Sequence, residues 1–153
     1  MKGMFVFAMA LGLAFGGCTE GDHQDGDGHH GSGETVDVPD HYAAAVEKCE
    51  ELSKKIDDLI AKGDLDDVHA VAANIQKIAE KLSALAKEDL PQEKLRDVNI
   101  KSKELAGMFT EIDEAADAGK KQETIQVHDK MRGLIAELKK HVKKVDPHEG
   151  HQH

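Results

Sequence analysis

Aromatic residues are scarce in this chain: tryptophan is absent, and aromatic residues make up only 3% of the sequence. Alanine, leucine, lysine, glutamate and aspartate dominate instead, and this composition favours long helices over sheets. The 153 residues leave room for one domain of ordinary size. The sequence therefore predicts a small all-α protein.

The motifs of common enzyme classes are also missing. The chain has no glycine-rich phosphate loop opening from a strand, no nucleophile elbow, no HExxH and no CxxC. A di-iron bundle needs a Glu-x-x-His pair on each of two helices, and the pair with this spacing here, Glu20 and His23, lies in a polar segment. We therefore expect a protein that is not an enzyme.

Basic residues are too few to balance the acidic ones. The chain has 20 Lys and Arg against 30 Asp and Glu, which gives a formal net charge of -10. An acidic protein is repelled by nucleic acid and by anionic lipid headgroups. Neither is an expected partner, and the charge suits cationic ligands better.

The N-terminal residues have the pattern of an export signal. A single charge at Lys2 precedes an apolar run over residues 4–15, and two glycines then lead to Cys18. The run is too short to span a bilayer as a helix. The pattern resembles bacterial lipoprotein signals, although Phe15 stands where leucine is usual. An ordinary secretory signal with an accidental cysteine, or an uncleaved anchor, is the alternative.

The resemblance implies that residues 1–17 are removed and that Cys18 is acylated, so that several acyl chains anchor the protein in a membrane. It also implies a place in the bacterial cell envelope, and Thr19, where aspartate is absent, favours the outer membrane facing the periplasm. An acylated Cys18 would leave Cys49 without a disulfide partner. We interpret Cys49 as a small buried hydrophobe, rather than as a ligand or redox group.

The composition divides the rest of the chain into three parts. Residues 20–39 read EGDHQDGDGHHGSGETVDVP, with almost no apolar side chains. Such a segment cannot bury enough surface to offset its ordering entropy. We expect a flexible tether over residues 18–39, a folded domain over 40–146 and a histidine-rich tail over 147–153.

Apolar residues of the folded domain recur at spacings of three and four in four segments, the last of which continues to Val145. A shift of 56 residues aligns the first two segments with the last two and places Gly63 on Gly119. Asp40 and Asp64 are suitable helix caps. The prediction is an antiparallel up-down-up-down four-helix bundle built from two repeated helical hairpins.

The stretches GDLDDVHAVAANIQKIAEKLSALAKEDLP and EIDEAADAGKKQE, on this architecture, are similar to cytochrome b562 and its heme-free periplasmic relatives. That family ligates heme with a methionine near the start of the first helix and a histidine near the end of the fourth. His141 could stand for the histidine, but the first helix has no methionine, only His41 and Tyr42 near its start. Ligation of heme by His41 and His141 is conceivable at one end of such a bundle; heme is nevertheless not expected.

Six of the ten histidines lie outside the predicted helices. They form one cluster in the tether and one in the tail: His23, His29, His30, His148, His151 and His153. Imidazole with nearby carboxylates on flexible backbone suits Cu, Ni or Zn. Because an even number of antiparallel helices returns the chain to its starting end, both clusters could share a site. Solvated, disordered ends are the alternative.

A second candidate site lies inside the bundle. His128 falls on the fourth apolar stripe, and Met108 lies at the same level on the third helix, so the two could face each other as soft-metal ligands. More often such a histidine is a core residue whose ring nitrogens bond to water or to a flanking polar group. His69 is expected to face solvent. The acidic pairs at 57–58 and 113–114 are ordinarily charge on an exposed helix face.

Two hypotheses for the function follow. The first is a non-catalytic cell-envelope lipoprotein that binds or buffers a divalent transition metal through its histidine-rich ends. The second is a structural or adaptor lipoprotein whose helical surface binds an envelope protein. A b-type heme protein is a third and weaker interpretation.

Overall fold

The structure, a computed structural model, describes residues 36–142. Within this range the chain forms four α-helices and no strand: α1 (Tyr42–Lys62), α2 (Val68–Asp89), α3 (Gln92–Asp117) and α4 (Lys121–Lys139). A single 3-10 turn, Leu65–Asp67, precedes α2. The predicted all-α class is confirmed.

The four helices form a closed ring in which each packs against the next and α4 returns to α1. At the start of α1, the backbone N–H of Tyr42 donates to the carboxylate of Asp89, at the end of α2, at 2.7 Å. The hydroxyl of the same tyrosine donates to the carbonyl oxygen of Leu138, near the end of α4, at 2.8 Å. The start of α1 thus meets the ends of both its neighbours, as in an antiparallel four-helix bundle.

The core lies along the shared axis of the bundle, where all four apolar stripes meet. The largest side chains that are almost fully buried come from every helix and include Leu52, Ile56, Ile75, Leu82, Leu105, Ile112, Met131 and Leu138. Four pairs of core residues are separated by the repeat length of 56 residues: Cys49 and Leu105, Ile56 and Ile112, Ile75 and Met131, Leu82 and Leu138. Both members of each pair are buried, so the sequence repeat corresponds to equivalent packing positions.

The turns of the two hairpins share one backbone geometry. Gly63 has φ 88° and Gly119 has φ 65°, both in the left-handed region. At the first turn, the N–H of Gly63 donates to Ile60 and that of Asp64 to Leu59. The second turn has the same two bonds shifted by the repeat length, from residues 119 and 120 to residues 116 and 115. These bonds satisfy carbonyl groups that the helix end leaves free.

The helix starts differ from the prediction. Neither Asp40 nor Asp64 makes a side-chain capping bond. The N-cap residue of α1 is His41, and the N-cap residue of the 3-10 turn is Asp64; neither side chain bonds to the helix backbone. At the start of α1, the carboxylate of Asp89, at the end of α2, accepts the N–H of Tyr42 instead. A carboxylate on a neighbouring helix can satisfy the N–H of Tyr42 as well as a local cap can, and spacing along the chain does not reveal it.

The fourth helix ends earlier than its apolar stripe predicted. It ends at Lys139, and the next three N–H groups, of residues 140–142, bond to carbonyl groups three residues back. Such bonds tighten the last turn of a helix and end it. Val142 still packs against the core, whereas Val145 lies outside the described residues.

None of the helices in residues 36–142 combines the length and the apolar character that crossing a membrane would require.

We expect Gly63→Ala to lower the free energy of unfolding by about 1 kcal/mol, because an alanine at positive φ is strained. Gly107 and Gly133 are matched controls, since they lie within helices α3 and α4 and a Cβ there meets no atom within 4 Å. Alanine at either control position should raise stability by about 0.5–1 kcal/mol. Urea unfolding of the three variants measures these changes, and a stabilising Gly63→Ala would contradict the turn geometry.

Candidate functional site

Each of the four histidines in the described residues faces an aspartate from another helix. The pairs and their N···O distances are His41–Asp89 at 3.5 Å, His69–Asp113 at 2.6 Å, His128–Asp57 at 3.3 Å and His141–Asp97 at 2.7 Å. In order they join α1 to α2, α2 to α3, α4 to α1 and α4 to α3. Every interface in the ring of helices is therefore crossed by one histidine–aspartate pair.

His128 is the buried member of this set, with only 2% of its side chain exposed. Its Nε2 lies 2.9 Å from the hydroxyl oxygen of Ser53, and its Nδ1 lies 3.3 Å from Oδ1 of Asp57, both on α1. The Nε2–Ser53 contact is a hydrogen bond in which either atom can be the donor, according to the tautomer of the ring. Both ring nitrogens thus face polar groups of one neighbouring helix.

Burial lowers the pKa of His128 below the ordinary value of 6.5, because the imidazolium would lose its hydration. The positive charge of Arg132 also lowers it, whereas Asp57, Asp129 and a hydrogen bond to the backbone of Ser53 act in the opposite direction. The guanidinium of Arg132 lies 3.3 Å from the same Oδ1 of Asp57 that His128 faces. The carboxylate is therefore shared, and the neutral form of His128 is favoured.

The suggested metal pair of His128 and Met108 receives no support from this arrangement. Both nitrogens of His128 face groups of α1, so a metal would have to displace Ser53 or Asp57. Met108 is itself 8% exposed and belongs to the apolar core. The geometry matches the other interpretation, a core histidine bonded to flanking polar side chains.

The two histidines considered for heme lie beside the ends of α1 and α4 and are held by different carboxylates. His41 faces Asp89, whose other oxygen accepts the N–H of Tyr42. His141 bonds through Nε2 to Asp97 of α3 and is 18% exposed, whereas His41 is 79% exposed. Heme ligation by both rings, which the sequence did not lead us to expect, would compete with these two carboxylates.

His69 lies on the surface, as expected, with 55% of its side chain exposed. Its Nδ1 bonds to Asp113, and its ring meets that of Phe109 edge-on at 5.4 Å between centroids. Asp57 and Asp113 are separated by the repeat length, so the two hairpins use equivalent aspartates. The partners are not equivalent, because the position that corresponds to His128 is Ala72, one turn beyond His69.

Cys49 has the properties of a structural residue. Its side chain is buried, with 1% exposed, and it is a free cysteine. Burial raises the pKa of the thiol from 9.0 to about 12. A thiol that stays protonated at neutral pH is a poor nucleophile and metal ligand. This agrees with the interpretation of Cys49 as a small buried hydrophobe.

Residues 36–142 contain no group of three or more His, Cys, Asp or Glu side chains arranged to hold a metal ion. The six histidines predicted to bind metal, His23, His29, His30, His148, His151 and His153, lie outside this range, as does Cys18.

A groove of about 330 Å³ lies between α1 and α4. Its lining includes Ser53, Asp57, Arg132 and Ile135. The charged groups on its rim are already paired, since Asp57 meets Arg132 and Glu50 meets Lys139. The groove consequently offers no unpaired charge for a ligand.

Comparison of the chain with models of protein families, with curated proteins and with solved structures finds no significant match.

We expect Ser53→Ala to lower the free energy of unfolding by about 1–3 kcal/mol, because the buried Nε2 of His128 would lose its hydrogen-bond partner. Ser83→Ala is the matched control. Ser83 is only partly buried, and its hydroxyl bonds to that of Ser102. Ser102 would keep a second hydrogen bond, to the carbonyl of Asn99, if Ser83 were replaced. Chemical unfolding should show a clearly smaller loss for Ser83→Ala, and equal losses would contradict a special role of Ser53.

Proposed function

We propose that this chain is a non-catalytic lipoprotein of the bacterial cell envelope that binds a divalent transition metal, Cu, Ni or Zn, through its histidine-rich ends. The supporting observation is that the chain enters and leaves the bundle at one end. The hydroxyl of Tyr42 reaches the carbonyl of Leu138 at 2.8 Å, so the start of α1 and the end of α4 are adjacent.

The described chain packs against the bundle shortly before Tyr42 and shortly after Leu138. Val36 and Val38, near the end of the expected tether, and Val142, the last described residue, all pack against the core. The histidine clusters therefore connect to one end of a rigid scaffold. Two short segments held at neighbouring points have a high effective concentration for each other, which favours a site that both complete.

The chemistry of the clusters supports a transition metal rather than Ca²⁺ or Mg²⁺. Imidazole is a borderline ligand that suits Cu, Ni and Zn, whereas the hard cations prefer oxygen ligands. The histidines of the bundle are each engaged by an aspartate, so the histidines at the ends carry the proposal. Ordering of the ends on binding would make such a site weaker than a preformed one.

Replacement of the six histidines at the ends by glutamine should abolish saturable binding of Cu, Ni or Zn, measured by calorimetric titration of the full chain carrying Cys18→Ser. The matched control replaces the exposed His41 and His69 by glutamine and should bind as the unsubstituted chain does. Both variants leave the core intact. Absence of saturable binding by the unsubstituted chain, or equal binding by all variants, would refute the metal proposal.

The lipid anchor is tested separately by the two cysteines. In cells supplied with labelled palmitate, Cys49→Ala should incorporate label and remain in the membrane fraction. Cys18→Ala should do neither, because the acylated thiol is gone. Label in Cys18→Ala, or membrane association without label in the unsubstituted chain, would contradict acylation at Cys18.

A further inference from the structure

We propose that the α1–α4 interface is an acid-sensitive joint, in which protonation of His128 loosens α1 from α4 while the other three interfaces stay closed. This inference goes beyond the proposed function and requires neither the metal nor the lipid anchor.

The position of His128 makes it suited to this role. Among the described histidines it alone is buried at an interface, with 2% of its side chain exposed against 18% for His141 and more for the others. Both of its nitrogens face polar groups of α1. A second proton on the ring would place a positive charge away from water. Burying a charge is unfavourable unless a partner fully compensates it.

The available partners, which are the two aspartates and the backbone of Ser53, compensate only in part for the burial of the charge. The charged groups that face His128 are Asp57 from α1, and Asp129 and Arg132 from α4 itself; no charged group of α2 or α3 in the described residues contributes. Oδ1 of Asp57 lies 3.3 Å from both His128 and Arg132, and its side chain is 45% exposed. The carboxylate is thus divided between two cations and screened by water.

The other three interfaces contain no buried histidine. His41, His69 and His141 are partly or largely exposed, and each faces a carboxylate. A charge at these positions stays in contact with water and does not carry the desolvation penalty of a buried site. The expected effect of acid is therefore confined to α1 and α4, the neighbouring helices that no loop joins.

The direction of the pH dependence follows from proton linkage. His128 has a lowered pKa when the interface is closed and the ordinary value near 6.5 when the interface opens and the ring is hydrated. As the pH falls below 6.5, His128 becomes protonated in the open form but stays neutral in the closed form, so acid favours the open form. The open population rises by up to about tenfold per pH unit and levels off once the pH is below the lowered pKa.

Hydrogen exchange of backbone amides tests the joint in the full chain carrying Cys18→Ser. After correction for the intrinsic rate, opening of amides in residues 49–60 of α1 and 124–138 of α4 should increase between pH 7.5 and 5.5. Amides of α2 and α3 should change less. In His128→Gln, which keeps a polar side chain but takes up no proton, the increase should disappear.

Two further variants shift the response in opposite directions. Arg132→Gln leaves Asp57 to His128 alone and should reduce the acid-induced opening, whereas Asp57→Asn removes the compensating charge and should increase it. These variants decide the question even if His128→Gln fails to fold. Exchange that rises equally in all four helices, persists in His128→Gln, or responds alike to both charge variants would overturn the proposal.

Discussion

The fold depends on closing the ring between α1 and α4, the two neighbouring helices that no loop connects. Every other interface is brought together by a short turn, and loop closure over a few residues is inexpensive in entropy. The closure of α1 on α4 relies on side chains alone. Apolar packing supplies most of the stability, and polar contacts fix the alignment, among them the hydroxyl of Tyr42 on Leu138, His128 on Ser53, Arg132 on Asp57 and Lys139 on Glu50.

This closure also brings the start of α1 beside the end of α4, so the chain enters and leaves the bundle at one end. The opposite end carries the two glycine turns and the aspartates at 57 and 113. In the proposed function, the anchor and the metal-binding segments both join the chain at the first of these ends.

The architecture was predictable because it rests on features that repeat along the chain. The apolar stripes at spacings of three and four, the 56-residue repeat and the turn glycines each bear on many residues at once, and all three match the structure. The polar contacts were harder to predict. Asp89 as the partner of Tyr42, and Asp57 as the partner of His128, come from other helices, and their pairing depends on helix rotation and register that spacing does not encode.

One of these pairs left a signal in the sequence. A histidine on an apolar stripe needs polar neighbours at its own level. In an antiparallel pair, the level of His128 on α4 corresponds to the later half of α1, where Ser53 and Asp57 lie one turn apart. The candidate metal and lipid sites have no such structural counterpart here, because their residues lie outside residues 36–142.

The bundle holds its own histidines against aspartates, and we propose that the histidines outside residues 36–142 bind metal instead. NMR of the histidine ring signals during addition of Zn²⁺ tests it most directly. The account predicts that signals from the six histidines of the ends shift first while that of His128 does not move. A shift of the His128 signal at low Zn²⁺, with the signals from the ends unchanged, would contradict it.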